Sequence, residues 1–340
     1  MKDKDANKNK SIKIKDVAKL VGVSPSTVSY VLTGKRPVSE EMKKKVLEKI
    51  ELLGYKPIAV ARNLASRKTN TIGLYCSKYS KDNDLFFLRM LNGIMDSLSH
   101  TGYKILLVND IESDENFSLP IDWSFPIDGA IITHTRNSQI YLEELQKENI
   151  PFLLIGKPPK NVDVNYIDND NVKAFYNSVE YLFKQKIKRI GIVINQSQSA
   201  TLNLDAVAGY VMAHSDYQVP YDDRLIFRID EGSEGSVEKA FELFEAYEIE
   251  GLIVAGLFMP IINRLFKSED LSRKIRPVIF AYDILSKYNF CLDGEIAYIE
   301  SNAYKLGFDA AASVVKCIED KRAGVEQKLL EATLKIWRPD

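Results

Sequence analysis

Between Lys15 and Thr33 two short apolar stripes at helical spacing are separated by Gly22-Val23-Ser24-Pro25, and that punctuation leaves the segment few ways to fold. Val17, Ala18, Leu20 and Val21 give the first stretch an apolar face. Asp16 sits at its start, where a carboxylate favours the exposed N–H groups. Gly22 permits the positive φ that ends a helix. Ser24 can cap the next one, with Pro25 at its first position, where a missing N–H costs nothing. Val28, Val31 and Leu32 form the second stripe, which leaves Ser26, Thr27, Ser29, Tyr30 and Thr33 facing outward. An ordinary αα-hairpin has the same spacing, but a merely solvated face usually carries Glu or Lys, and this one carries neither. Small hydroxyls and a phenol suit base edges in a DNA major groove.

The pattern Asp16-Val17-Ala18-x-x-x-Gly22-Val23-Ser24-x-x-Thr27-Val28-Ser29-x-x-Leu32 resembles the helix-turn-helix signature of the LacI/GalR (lac repressor) family. The resemblance implies that Ser24, Pro25, Ser26, Thr27, Ser29, Tyr30 and Thr33 approach the major groove, while Lys35 and Arg36 hold phosphates. Tyr30 stands where many relatives have arginine, so it offers no bidentate guanine contact there. A third helix is expected over residues 39–53, with Met42, Val46, Ile50 and Leu53 as its stripe and Gly54 as its end. Residues 58–65 are too short to hold a helix unaided in water and read as a linker. The resemblance is sharper: Tyr55-x-Pro57 and Ala61-Arg62-x-Leu64-Ala65 match a hinge helix that folds on DNA. Ala61, Arg62 and Leu64 would then enter the minor groove, with Leu64 as a wedge between base pairs.

Charge agrees with this division. Residues 1–70 carry 17 Lys and Arg against 7 Asp and Glu, and the rest of the chain carries 29 against 40. A small basic head on an acidic body is what attraction to phosphate requires of the head alone. The expected organisation is a disordered basic tail (1–11), a helix-turn-helix domain (12–57), a hinge helix and linker (58–69) and an effector-binding and dimerisation body (70–340). The first ten residues lack the apolar core of a signal peptide, and no apolar run reaches the roughly 18 residues of a membrane span, so the reading is a soluble cytoplasmic protein. Cys76, Cys291 and Cys317 are odd in number and widely spaced, as expected of reduced thiols rather than disulfides or a metal site.

From Asn70 onward apolar strands alternate with amphipathic helices, which implies parallel sheets wrapped on both faces. Two successive series suggest two doubly wound lobes around a cleft, with ligands at the carboxyl ends of the strands. Thr71-Ile72-Gly73, Gly93-Ile94, Ile127-Asp128-Gly129, Asp168-Asn169, Gly209-Tyr210 and Gly307 are among the pieces similar to the same family's effector domain, itself similar to periplasmic sugar-binding proteins. In that family the chain crosses between lobes three times. The fold class expected is therefore an all-α helix-turn-helix head plus an α/β periplasmic-binding-protein-like body. The first lobe takes about 70–168 and 300–325, the second about 169–299 and 326–340.

Other chemistry finds little footing. No glycine-rich phosphate loop follows a strand, and Gly232-Ser233-Glu234-Gly235 lacks the spacing of a nucleophile elbow. His100, His134 and His214 are scattered. Asp168-Asn169-Asp170-Asn171 opens like a calcium loop but lacks its glycine and closing glutamate, and reads instead as a turn capping a helix. No enzyme activity, metal or cofactor is expected.

The resemblance thins in the pocket. The arginine usual on the first helix of the second lobe aligns with Ala206, the usual Asn-Asp pair with Gly256-Leu257, and a common glutamine with Ser301. Ser77, Phe87, Asp168, Asp283 and Ser301 are left as candidate effector contacts. Sugar hydroxyls need several convergent polar partners, so an ordinary monosaccharide effector is disfavoured. The chain is expected to be a dimeric, sequence-specific transcription regulator, most simply a repressor on a pseudo-palindromic operator in double-stranded DNA. A regulator controlled by a protein partner and a sugar-binding transport protein are the alternatives.

Overall fold

A computed structural model of the chain describes residues 12–33, 36–55, 68–77, 84–110, 125–133, 138–158, 163–196, 201–230, 233–256, 258–281, 296–320 and 324–337. The expected basic tail and hinge helix lie outside these. The chain falls into two compact units, Met1–Thr69 and Asn70–Asp340.

The head is built from α1 (Ile14–Val21), α2 (Pro25–Thr33) and α3 (Glu40–Leu53). Its ends follow the sequence's punctuation. The Asp16 carboxylate accepts the Lys13 backbone N–H at 2.8 Å, Gly22 takes φ 78°, and the Ser24 hydroxyl accepts the Thr27 N–H at 3.1 Å. Ser39 caps α3 through the Met42 N–H, and Gly54 ends it at φ 62°. Val17, Ala18, Val28, Val46 and Tyr55 are buried, with Val21, Val31, Leu32, Met42, Ile50 and Leu53 packed around them. Leu20 departs from the expected face and is half exposed. So small a core leaves the head marginal on general grounds.

The body follows as β1 (Thr71–Ser77), α4 (Asp84–Leu98), β2 (Lys104–Asp110), β3 (Gly129–Ile132), α5 (Ser138–Lys147), β4 (Phe152–Ile155) and β5 (Tyr166–Asn169). Next come α6 (Asn171–Lys184), β6 (Ile190–Asn195), α7 (Thr201–Asp216), β7 (Ile226–Ile229), α8 (Glu234–Ala246), β8 (Gly251–Val254), α9 (Met259–Lys267), α10 (Glu269–Lys274) and β9 (Arg276–Ala281). The chain closes with β10 (Ile296–Glu300), α11 (Ala303–Glu319), β11 (Gln327–Leu330) and β12 (Thr333–Trp337). The first sheet has the order β2-β1-β3-β4-β5-β11 and the second β7-β6-β8-β9-β10-β12. Among the described residues, all pairings are parallel except that of β12 with β10. The two sheets thus repeat one winding, each reversing direction beside its first strand.

One boundary shifts. Gln327–Leu330 pairs with β5 in the first sheet, so the first lobe reaches Leu330 and the third crossing lies at Glu331 and Ala332, not at 325/326. β5 and β11 are short and half polar, which masks the apolar run by which a buried strand is read from sequence.

Each lobe has a helix pair in which a glycine lets backbones touch. A Cβ added at Gly307 of α11 would lie 2.0 Å from the Met90 carbonyl oxygen of α4, and one at Gly93 2.0 Å from the Tyr304 carbonyl oxygen. At Gly209 of α7 it would lie 2.3 Å from the Val172 carbonyl oxygen of α6. These positions admit only glycine because the neighbour is main chain. The pairs close over the apolar cores of the first lobe, around Ile72, Leu74, Met90, Ile94 and Val314, and of the second, around Phe175, Ile192, Tyr210 and Ile253.

Candidate nucleic-acid interface and effector cleft

On the head, Val28 turns into the core while Ser24, Pro25 and Ser26 are exposed and Thr27, Ser29 and Tyr30 half-buried. The Thr27 hydroxyl lies 2.9 Å from that of Ser24, so these two residues form the helix cap as well as part of the outward face. Thr33 ends α2. Lys35, Ala61, Arg62 and Leu64 lie outside the described residues. Arg36 is exposed, and its guanidinium carbon lies 5.1 Å from the centre of the Tyr30 ring.

In the body, the three crossings between lobes are tied together. The Asp170 N–H donates to the Leu330 carbonyl at 2.7 Å, the Asn302 amide to the Glu331 carbonyl at 3.3 Å, and the Asn169 amide to the Ser301 hydroxyl at 2.9 Å. Asp168 ends β5's apolar pair and is buried beside them. Its carboxylate accepts the backbone N–H groups of Asn169 at 2.7 Å and Lys157 at 3.1 Å. Burial pushes this carboxyl up to about 6, against the pull of those two N–H groups and the Lys157 charge. The amide oxygens of Asn169 and Asn171 are buried without a hydrogen-bond partner among the described residues. Asp170, the next residue, caps α6 through the Lys173 N–H, which is the helix-capping role read for this run.

Of the expected pocket residues, the fold therefore brings Asp168 and Ser301 to one place. Ser77 is the last residue of β1. Phe87 is buried within the first lobe's core. Asp283 lies outside the described residues. Ala206 is fully buried in the second lobe's core. His214 is a core histidine, its ring 2.8 Å from the Tyr210 carbonyl.

Two residues in this region escaped the sequence reading. Lys157, just beyond the carboxyl end of β4, reaches Asp205 on α7 at 2.7 Å, joining the lobes by an ion pair with both side chains mostly covered. A signal existed: Asp205 precedes the arginine position, and Lys157 follows Ile155-Gly156 at a strand end. A groove of about 630 Å³ on the β7 edge, lined in part by Arg224, Arg228 and Lys239, holds none of the expected pocket residues.

Comparison with known proteins agrees with both units. Residues 13–57 match the family described as bacterial regulatory proteins, lacI family. Residues 70–245 match periplasmic binding proteins and sugar binding domain of LacI family. The chain belongs to the LacI family. It is 31% identical to the transcriptional regulator RegA of Clostridium saccharobutylicum over 94% of this chain and 97% of that protein. It is 28% identical to the regulator MalR of Streptococcus pneumoniae over 92% of this chain and 94% of that protein. Its fold resembles the lac repressor dimer bound to operator and an anti-inducer, with a TM-score of 0.76, 19% identity and coverage of 96% and 98%. This LacI-family chain is thus a transcriptional regulator, with a DNA-binding helix-turn-helix head and an effector-binding body, and not an enzyme. No described helix is long and apolar enough to cross a membrane.

Proposed function

We propose that the chain is a repressor that binds a pseudo-palindromic operator as a homodimer, with the outward face of α2 in the major groove. The carrying observation is that α2 turns Val28 inward and presents Pro25, Ser26, Ser29 and Tyr30 on a face without acidic residues or lysine. The pairing of heads rests on the body. Leu88 and Met95, seven residues apart on α4, and Leu107 on the edge strand β2 each leave about half of their surface exposed. Apolar side chains so placed are suited to a second copy.

The hinge reading belongs to the same proposal: Ala61, Arg62 and Leu64 enter the minor groove once both heads are seated. A ligand that changes the angle between lobes alters the separation of the two hinges. The effector is not a free hexose or pentose. Ala206 supplies no charged fork, and Asp205 beside it is already paired with Lys157.

Selection of operators from random duplex DNA, followed by footprinting, tests the reading. Two-fold symmetric half-sites protected together are the expected result; binding without sequence preference would refute it. Leu64→Ala is expected to weaken specific binding while leaving non-specific binding near normal, and equal losses would count against the wedge. Micromolar binding of a free hexose or pentose in calorimetric titration would overturn the effector reading.

A further inference from the structure

A helix that reads DNA by two-point hydrogen bonding to a base edge draws on the planar arginine fork for guanine, which the point charge of lysine does not reproduce, or on asparagine or glutamine for adenine. The helix α2, Pro-Ser-Thr-Val-Ser-Tyr-Val-Leu-Thr, has none of these. The residue that lies against its outward face is Arg36, from the turn beyond its end. The Arg36 guanidinium stands over the Tyr30 ring, 5.1 Å from its centre.

A guanidinium held over an aromatic face by its charge keeps its N–H donors for a further partner. No hydrogen bond or ion pair is found for Arg36 among the described residues, and its side chain is exposed. Tyr30 shares a face with Ser26, at a helical spacing of four. The ring therefore carries an arginine fork onto the surface that the preceding reading places in the groove. A phosphate could take the same fork, so what separates the two roles is whether loss of the fork changes sequence choice or only overall affinity.

We infer that Arg36 reads a guanine edge in each half-site, and that Tyr30 is its positioning residue. The inference rests on the placement of α2 in the major groove and revises the phosphate role that the sequence suggests for Arg36. Tyrosine on the helix and arginine in the turn together do the work of an arginine on the helix.

The test is operator selection with the full chain, comparing wild type with Arg36→Lys, Arg36→Ala, Tyr30→Leu and Tyr30→Phe. Wild type and Tyr30→Phe are expected to enrich guanine at one fixed position per half-site. Arg36→Lys and Tyr30→Leu are expected to lose discrimination at that pair alone, by about 5- to 150-fold, the range for one bidentate contact. For Arg36→Lys, non-specific affinity and the slope of binding against salt are expected to stay near wild type. Because Arg36 is exposed, its variants isolate the contact even if Tyr30→Leu loosens the head. The inference is overturned if Arg36→Lys selects as wild type does while Arg36→Ala weakens binding to every sequence and lowers the salt slope by about one. A wild-type chain that enriches no sequence would sink the groove placement and this inference together.

Discussion

Replacing Gly307 by alanine tests the closest approach in the body. In a helix interior this change ordinarily stabilises by about 1 kcal/mol, through lower conformational freedom of the unfolded chain. Here the new methyl carbon would stand 2.0 Å from the Met90 carbonyl oxygen and 2.8 Å from its carbon. Carbon–oxygen contacts settle near 3.3–3.6 Å, so α4 and α11 must part by more than about 1 Å. Main chain cannot swing aside as a side chain could, and the separation loosens the packing of Met90, Ile94 and Leu306. Overpacking of this kind costs about 1–3 kcal/mol and occasionally more, which exceeds the propensity gain. A net loss of up to about 2 kcal/mol is expected. In a domain of this size that upper figure lowers Tm by roughly 4–8 °C, read by circular dichroism on the main unfolding transition. Gly235→Ala in α8 is the control. Its methyl meets nothing closer than 4.0 Å, so Tm should hold or rise slightly. The Gly93→Ala and Gly307→Ala double variant should cost less than the sum, because both methyls push the same two helices apart. A Gly307→Ala protein as stable as wild type would refute the close approach.

Breaking the Lys157–Asp205 pair with Lys157→Met leaves a mostly covered carboxylate without its partner and is expected to destabilise by about 1–3 kcal/mol. Adding Asp205→Leu should recover much of that loss, a sign pattern checked by a double-mutant cycle in urea. Asp168 has a folded value of about 6, above the unfolded 3.8. Its contribution is therefore fully present below pH 3.8 and is lost as pH rises to 6, a drop of roughly 3 kcal/mol. Stability measured from pH 4 to 7 should show this slope, and Asp168→Asn should remove it. Ser24→Ala deletes the hydroxyl that accepts the Thr27 N–H and is expected to cost the head about 1 kcal/mol. Faster hydrogen exchange at the first α2 amides checks this.

The rules that placed the head act over a few residues. Gly22, the Ser24 and Ser39 caps and Gly54 each decide a local backbone geometry, so α1, α2 and α3 could be read from the chain directly. Much of the body was legible for a related reason: buried parallel strands must be nearly continuous apolar runs, and Gly251–Val254 is one such run. β5 and β11 carry polar residues because they run into the crossings, where side chains meet other polar groups rather than a core. Their strand character arises from pairing with each other across more than 150 residues, which no local pattern reports.

The same distinction separates the two halves of the function. Which face of α2 is presented follows from helical spacing, and so does its poverty in donors. That Arg36 lies on Tyr30, that Phe87 faces a core and that Lys157 meets Asp205 depend on where separate elements come to rest. Glycine at 93, 209 and 307 belongs to both accounts. The residues are visible in the chain, but only the packed helices show that a neighbouring carbonyl fills the space where a side chain would begin.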